Sequence, residues 1–174
     1  MTLVSTDWLN KNLNEIKIID ASWHLNRKRN AIEEYNKEHI KNAIFFDLEK
    51  NSNQEKNLPH NHFLPKKKDW EKALSKMGIS NNDKVVIYDN SDLISSCRCW
   101  FQFLYFGHKA ELVFILDGGL KKWKIENKKI TNKKTKIKPA KYFAKENTYM
   151  VKTKLQIKEN IKKKEFKILD ARSK

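Results

Sequence analysis

The sequence runs to 174 residues, 39% hydrophobic and 11% aromatic, so one core of ordinary size can be buried and wholesale disorder is excluded. No stretch of about 18 uninterrupted apolar residues is present to cross a membrane, and the opening MTLVSTDW lacks the pattern of a signal segment, so a cytoplasmic protein is expected. The formal net charge of +16 admits a polyanionic partner, but lysines are spread over every predicted surface and arginines are few, so specific nucleic-acid recognition is not expected.

Thr6 is placed to cap a helix over about 7–14, where Trp8, Leu9 and Leu13 recur at helical spacing. A short buried strand follows at 16–21. Residues 31–40 read as a second helix, and 43–46 (AIFF) is an apolar run ending at Asp47. The polar segment 49–61 closes on HFLP at 62–65. Residues 68–77 repeat apolar side chains at helical spacing and stop at Gly78, a natural C-cap. The β-branched run KVVIY at 84–88 has the make-up of a central parallel strand. After a loop at 90–96, the segment CRCWFQFLYF at 97–106 is apolar on all sides, as a buried helix would be, and Gly107 ends it. LVFIL at 112–116 is the next strand, and Asp117, Gly118 and Gly119 turn the chain into a short helix over 120–125. That turn accounts for the glycine pair without a phosphate loop. Strands alternating with helices predict a parallel α/β sheet with right-handed crossovers.

The lysine-rich, helix-poor stretch 127–148 reads as a linker, and beyond it the chain restarts. VSTDWLNKNLNEIKIIDAS at 4–22 is echoed by VKTKLQIKENIKKKEFKILDARS at 151–173, with Asp20 and Asp170 about 150 residues apart, one domain length. The expected division is a domain over 1–126, a linker over 127–148, and the opening helix and first strand of a second, truncated domain over 149–174. The strand expected at 166–169 has no sheet to join, so it must stay exposed, dock on the first domain or pair with another chain.

Several segments in this order resemble the two-domain rhodanese family, the thiosulfate and 3-mercaptopyruvate sulfurtransferases: LVSTDWL at 3–9, IIDASWHL at 18–25, HIKNAIFFDLE at 39–49, HFLP at 62–65, MGISNNDKVVIYD at 77–89 and FGHKAELVFILDGGLKKW at 106–123. The resemblance implies a rhodanese-like α/β fold, a central parallel sheet with helices on both faces. It also implies transfer of a sulfane sulfur from a small donor, through a cysteine persulfide, to a thiol or cyanide acceptor, with no cofactor. In such a site a nest of amide dipoles stabilises the thiolate and the persulfide.

The position of that cysteine falls on Asp89, whose carboxylate oxygens are not soft sulfur nucleophiles. The following NSDLISSC lacks the glycine that would let a cradle loop turn tightly. This is the pattern of the family's N-terminal, non-catalytic domain, whose partner is the second rhodanese domain carrying the working cysteine. The chain alone is therefore expected to be inactive, with no catalytic residue.

His62 begins the family's HxLP segment and is the candidate to hydrogen-bond a donor carboxylate or sulfonate; Glu49 stands near the family's acidic position and could orient a substrate amine or hydroxyl. Each competes with a plain reading as a solvated loop residue. Cys97 is a rival thiol, because a helix N-terminus and Arg98 would both lower its pKa, but the apolar Trp100 and Phe101 favour structural packing for it. Cys97 and Cys99 point apart on a helix, so neither a metal site nor a disulfide framework is expected. Arg172 matches a family DxR signature and reads as structural. The alternative function is a non-enzymatic rhodanese-like module using its basic surface to hold RNA or a protein partner.

Overall fold

A computed structural model describes residues 2–26, 28–58, 62–91 and 93–170. Short apolar runs form the strands: β1 (Leu3–Val4), β2 (Lys17–Asp20), β3 (His39–Ile40), β4 (Ala43–Phe45), β5 (Val85–Tyr88), β6 (Val113–Leu116) and β7 (Ile130–Thr131). Between and after them come α1 (Thr6–Lys11), α2 (Ala31–Lys37), α3 (Lys67–Lys76), α4 (Ser96–Tyr105), α5 (Gly119–Ile125) and α6 (Lys154–Lys163). Five strands make one parallel sheet in the order β1-β6-β5-β2-β4, while β3 and β7 pair antiparallel on their own.

The period of two along a strand sorts the core into two layers. Ile19, Val85 and Ile87 face α3 and α4, where they meet Trp70, Leu74, Cys99, Phe103 and Phe106. Ile18, Val86 and Tyr88 face the other way, onto Leu9 of α1, Tyr35 of α2 and Leu120 and Trp123 of α5. All four residues of β5 are buried, which explains why its sequence shows no polar alternation. The parallel sheet with helices on both faces is thus as expected.

Several element boundaries differ from the sequence reading. Ser5 caps α1, its Oγ accepting from the Trp8 amide at 3.1 Å, so Thr6 is instead the first helical residue; its hydroxyl donates to the Glu126 carboxylate. The segment 31–40 is helical only to Lys37. His39, buried and stacked on Tyr35 at 4.1 Å, and Ile40, whose amide donates to the Tyr88 hydroxyl, turn extended to meet β7. Helix α4 is not buried all round: Ser96, Cys99, Gln102 and Phe103 face the core, and Cys97 is exposed.

Residues 127–148 contain no α-helix, yet they are fixed along the body of the molecule as a strap. Tyr142 and Ala144 complete the core under α3 and α4, and the Tyr142 ring stacks on His108. Backbone bonds run from Ala140 to Ser75, Lys145 to Phe106 and Asn147 to Tyr105. The strap passes so close to the end of α3 that a Cβ at Gly78, which has φ +68°, would lie 2.4 Å from the Lys138 oxygen.

Beyond the strap, Thr153 and Gln156 form a reciprocal capping box for α6. The strand expected at 166–169 does not form. Phe166 folds back onto Asn160 through two hydrogen bonds of 2.7 and 3.0 Å, and Leu169 is 89% exposed, the first of the three fates set out for it.

Because Tyr142 fills the core from the strap, Tyr142→Ala is expected to cost about 3 kcal/mol in urea unfolding, while deleting 149–174 leaves the melting temperature within a few degrees of the parent.

Candidate functional site

In an open parallel sheet the strand ends that point toward the carboxyl side meet at one rim, and loops there are free to bind. Here β2, β4 and β5 end together. The loop after β5 is organised around Asp89. Its Oδ1 accepts from the Ser91 amide at 3.2 Å and its Oδ2 from the Ser96 amide at 2.7 Å, placing a carboxylate at the amino end of α4, where it complements the helix dipole. The Asp89 carbonyl accepts from the Leu120 amide at 3.0 Å. Gly119 is required beside it: φ is +55°, and a Cβ there would come within 2.5 Å of the Asp89 oxygen.

Serines tie this loop to the end of β2. The Trp23 amide donates to Ser91 Oγ at 2.9 Å, Ser91 and Ser95 hydroxyls lie 2.6 Å apart, and Ser95 Oγ donates to the Ala21 carbonyl at 2.8 Å. In parallel, the Asn90 amide donates to Ser22 Oγ, which donates to Asp20 Oδ1. Burial pushes the Asp20 carboxyl up despite the two bonds from Ser22. Asn90 is held further by Glu34, which accepts from Asn90 Nδ2 and from two Arg29 nitrogens at 2.8 and 2.7 Å. Hydrogen bonding to Arg29 holds the Glu34 carboxyl below its usual range.

The two residues singled out for binding meet through a third. The His62 ring stands edge-on to the Trp23 indole with centroids 5.1 Å apart, and Trp23 Nε1 donates to Glu49 Oε1 at 2.9 Å. Trp23 divides two clefts. One, of about 220 Å³, is mostly apolar and is bounded by Leu48, His62, Leu93, Ile94 and Arg98. The other, of about 240 Å³, is bounded by Ser22, His24, Arg29, Asp47 and Glu49. Arg98 donates to the His62 carbonyl at 2.7 Å, holding that residue at φ 67°. Trp23 and Arg98 escaped assignment from sequence as site residues, although Trp23 comes three residues after the end of β2, in DASW, within the loop that forms the rim.

Cys97 departs from both expectations made for it. It is exposed rather than packed, and its thiol is pushed up, first by partial burial of the sulfur and then by the nearby Asp89 charge. The amino end of α4 is already neutralised by Asp89, and Arg98 is drawn away to His62 and over the Phe101 ring. Cys99 is the buried one, and burial pushes its thiol far up. Gly118, at φ 76°, opens α5, in line with a turn rather than a phosphate loop. Arg172 lies outside the described residues.

This rim, a strand-end loop wrapped around one side chain at the head of a helix within a five-stranded parallel sheet, is that of the rhodanese-like domain. The model of that family matches residues 5–126, and the chain belongs to it. Among its relatives, it is 38% identical over 197 residues to thiosulfate/3-mercaptopyruvate sulfurtransferase 2 of Arabidopsis thaliana, covering 99% of this chain and 56% of that protein. To human 3-mercaptopyruvate sulfurtransferase it is 34% identical over 180 residues, covering 98% and 59%. The chain thus spans somewhat over half the length of these relatives. The fold superposes on the 3-mercaptopyruvate sulfotransferase SseA of Escherichia coli with a TM-score of 0.91 at 29% identity, covering 99% of this chain and 66% of that one. The Tum1 protein of Saccharomyces cerevisiae shares the fold, with a TM-score of 0.82.

Removing the carboxylate that caps α4 should destabilise the domain: Asp89→Ala is expected to lower unfolding stability by about 1–2 kcal/mol, and Asp89→Asn by less, as read in urea. Since the Cys97 thiol is raised, its iodoacetamide labelling should be slow at pH 7 and climb about tenfold per pH unit to beyond pH 9, with Cys99 unlabelled in mass spectra of the folded chain.

Proposed function

We propose that this chain holds the catalytically silent rhodanese-like domain of a two-domain sulfurtransferase of the thiosulfate or 3-mercaptopyruvate type. The single observation behind the reading is Asp89. The loop that in a working domain would cradle a sulfur anion here spends its Ser91 and Ser96 amides on a carboxylate, whose oxygens cannot accept a sulfane sulfur. Membership of the family and similarity to sulfurtransferases along nearly the whole chain support the assignment.

In this reading the working cysteine comes from a second rhodanese-like domain, which opens with α6 in the way that the first opens with α1. Its thiolate attacks the outer sulfur of thiosulfate, whose S–S bond breaks so that sulfite departs, or the thiol sulfur of 3-mercaptopyruvate, whose C–S bond breaks so that the enolate of pyruvate departs and takes up the proton of that thiol. The persulfide then gives its outer sulfur to a thiol or cyanide, and the thiolate returns. The present domain supplies the rim of the shared cleft. His62 and Arg98 present positive or hydrogen-bonding groups to the donor's carboxylate or sulfonate, while Glu49 is held by Trp23 to face a polar substituent.

The test is direct. The 174-residue chain should show no thiosulfate:cyanide or 3-mercaptopyruvate:thiol turnover above buffer. When it is joined to a second domain with a cysteine loop, His62→Ala should raise KM severalfold with little change in kcat. Turnover by the chain alone that disappears in Cys97→Ser would overturn the reading and make Cys97 the nucleophile.

A further inference from the structure

At the opposite end of the sheet from Asp89, where the strands begin, lies a cleft of about 850 Å³ between the start of β2, the turn before β4 and the strap. Seven lysines line it, against two carboxylates, Glu15 and Asp83. None of the seven is in an ion pair among the described residues, whereas Lys66, Lys122, Lys124 and Lys128 elsewhere each meet an acid. The even spread of lysines expected from sequence therefore does not hold here: positive charge is gathered in one concavity and left uncompensated, which focuses the field on whatever enters.

The strap presents part of that charge. It is anchored by the β3–β7 pair, by Thr135 Oγ1 donating to the Ala43 carbonyl at 2.6 Å, and by Ile137 lying against Gly78. Along it Lys134, Lys136 and Lys138 are all exposed and line the cleft. Lys17 and Lys41 stand on the opposite wall. Among the described residues no aromatic ring lines the cleft to stack a base, and no arginine is there to fork onto a base edge.

We propose that this cleft binds the phosphodiester backbone of single-stranded nucleic acid, without reading its sequence, on a face distinct from the sulfur-handling rim. Its concavity suits a flexible strand rather than a flat lipid surface or the rod of a duplex. The lysines act as point charges that release counterions, so affinity depends on salt and not on base identity.

The test is fluorescence anisotropy of the 174-residue chain with labelled U12, A12 and C12 RNA between 50 and 200 mM salt. The three oligomers should bind alike, with log affinity falling against log salt at a slope of −2 or steeper, about 0.7 per phosphate contacted. Joint substitution Lys134→Gln, Lys136→Gln and Lys138→Gln should reduce the magnitude of that slope by about 2. The same charge change on α3, by Lys68→Gln, Lys72→Gln and Lys76→Gln, should leave the slope unchanged, and thermal melts of both variants should match the parent. Absence of binding at 50 mM salt, an equal loss from the α3 variant, or displacement of the RNA by charge-matched polyglutamate would overturn the proposal, the last assigning the cleft to an acidic protein instead.

Discussion

The carboxylate of Asp89 organises the end of the sheet at which its parallel strands finish. One oxygen gathers the Ser91 amide, the other the Ser96 amide, and the backbone oxygen of the same residue receives the amide of Leu120. A single residue thus fixes the exit of β5, the entry of α4 and the start of α5. The serine relays and the Arg29–Glu34–Asn90 bonds hold the intervening loop against β2, so that Trp23, and with it His62 and Glu49, have a firm edge to lean on. The loop encloses a carboxylate, and a carboxylate bonded to its amides is architecture, where a soft anion in the same amides would be chemistry.

Most of the sheet was legible because burial on both faces writes an unbroken apolar run, as in VVIY and VFIL, and a run of that kind has few other readings. Elements of two residues were not. The end of the predicted second helix at His39 and Ile40 pairs with Ile130 and Thr131, and a two-residue bridge has no period to detect. The strap was illegible for another reason: lysines, asparagines and threonines on its outer side conceal the few inward positions, Thr135, Tyr142 and Ala144, that attach it. At the rim, Asp89 could be placed by its position after a strand, but the pairing of His62 with Glu49 through Trp23 depends on three segments far apart in sequence, which no local pattern reports. Cys97 shows the limit of arguing pKa from neighbours in sequence, since the helix end was already capped and the arginine pointed elsewhere.

The two segments of similar sequence, at 4–22 and 151–173, also start their helices with different atoms. In the first, Ser5 accepts from the Trp8 amide and Thr6 is free to reach Glu126; in the second, Thr153 and Gln156 satisfy each other's amides. The cap has moved by one residue while the helix it starts has kept its place, so similarity of the segments at the level of residue types conceals a change in the local bonding.

The strap has a consequence for how the molecule is made. Its partners, Ser75, Tyr105 and Phe106 among them, are synthesised well before residues 140–147, and the layer under α3 and α4 stays incomplete until Tyr142 arrives. On the ribosome the earlier residues must therefore wait with apolar surface uncovered while the strap clears the exit tunnel, by which time the segment that follows it is already being translated. Completion of the rhodanese-like domain is in this way timed by the emergence of the strap, and synthesis that pauses before Tyr142 has cleared the tunnel leaves a nascent chain most in need of a chaperone.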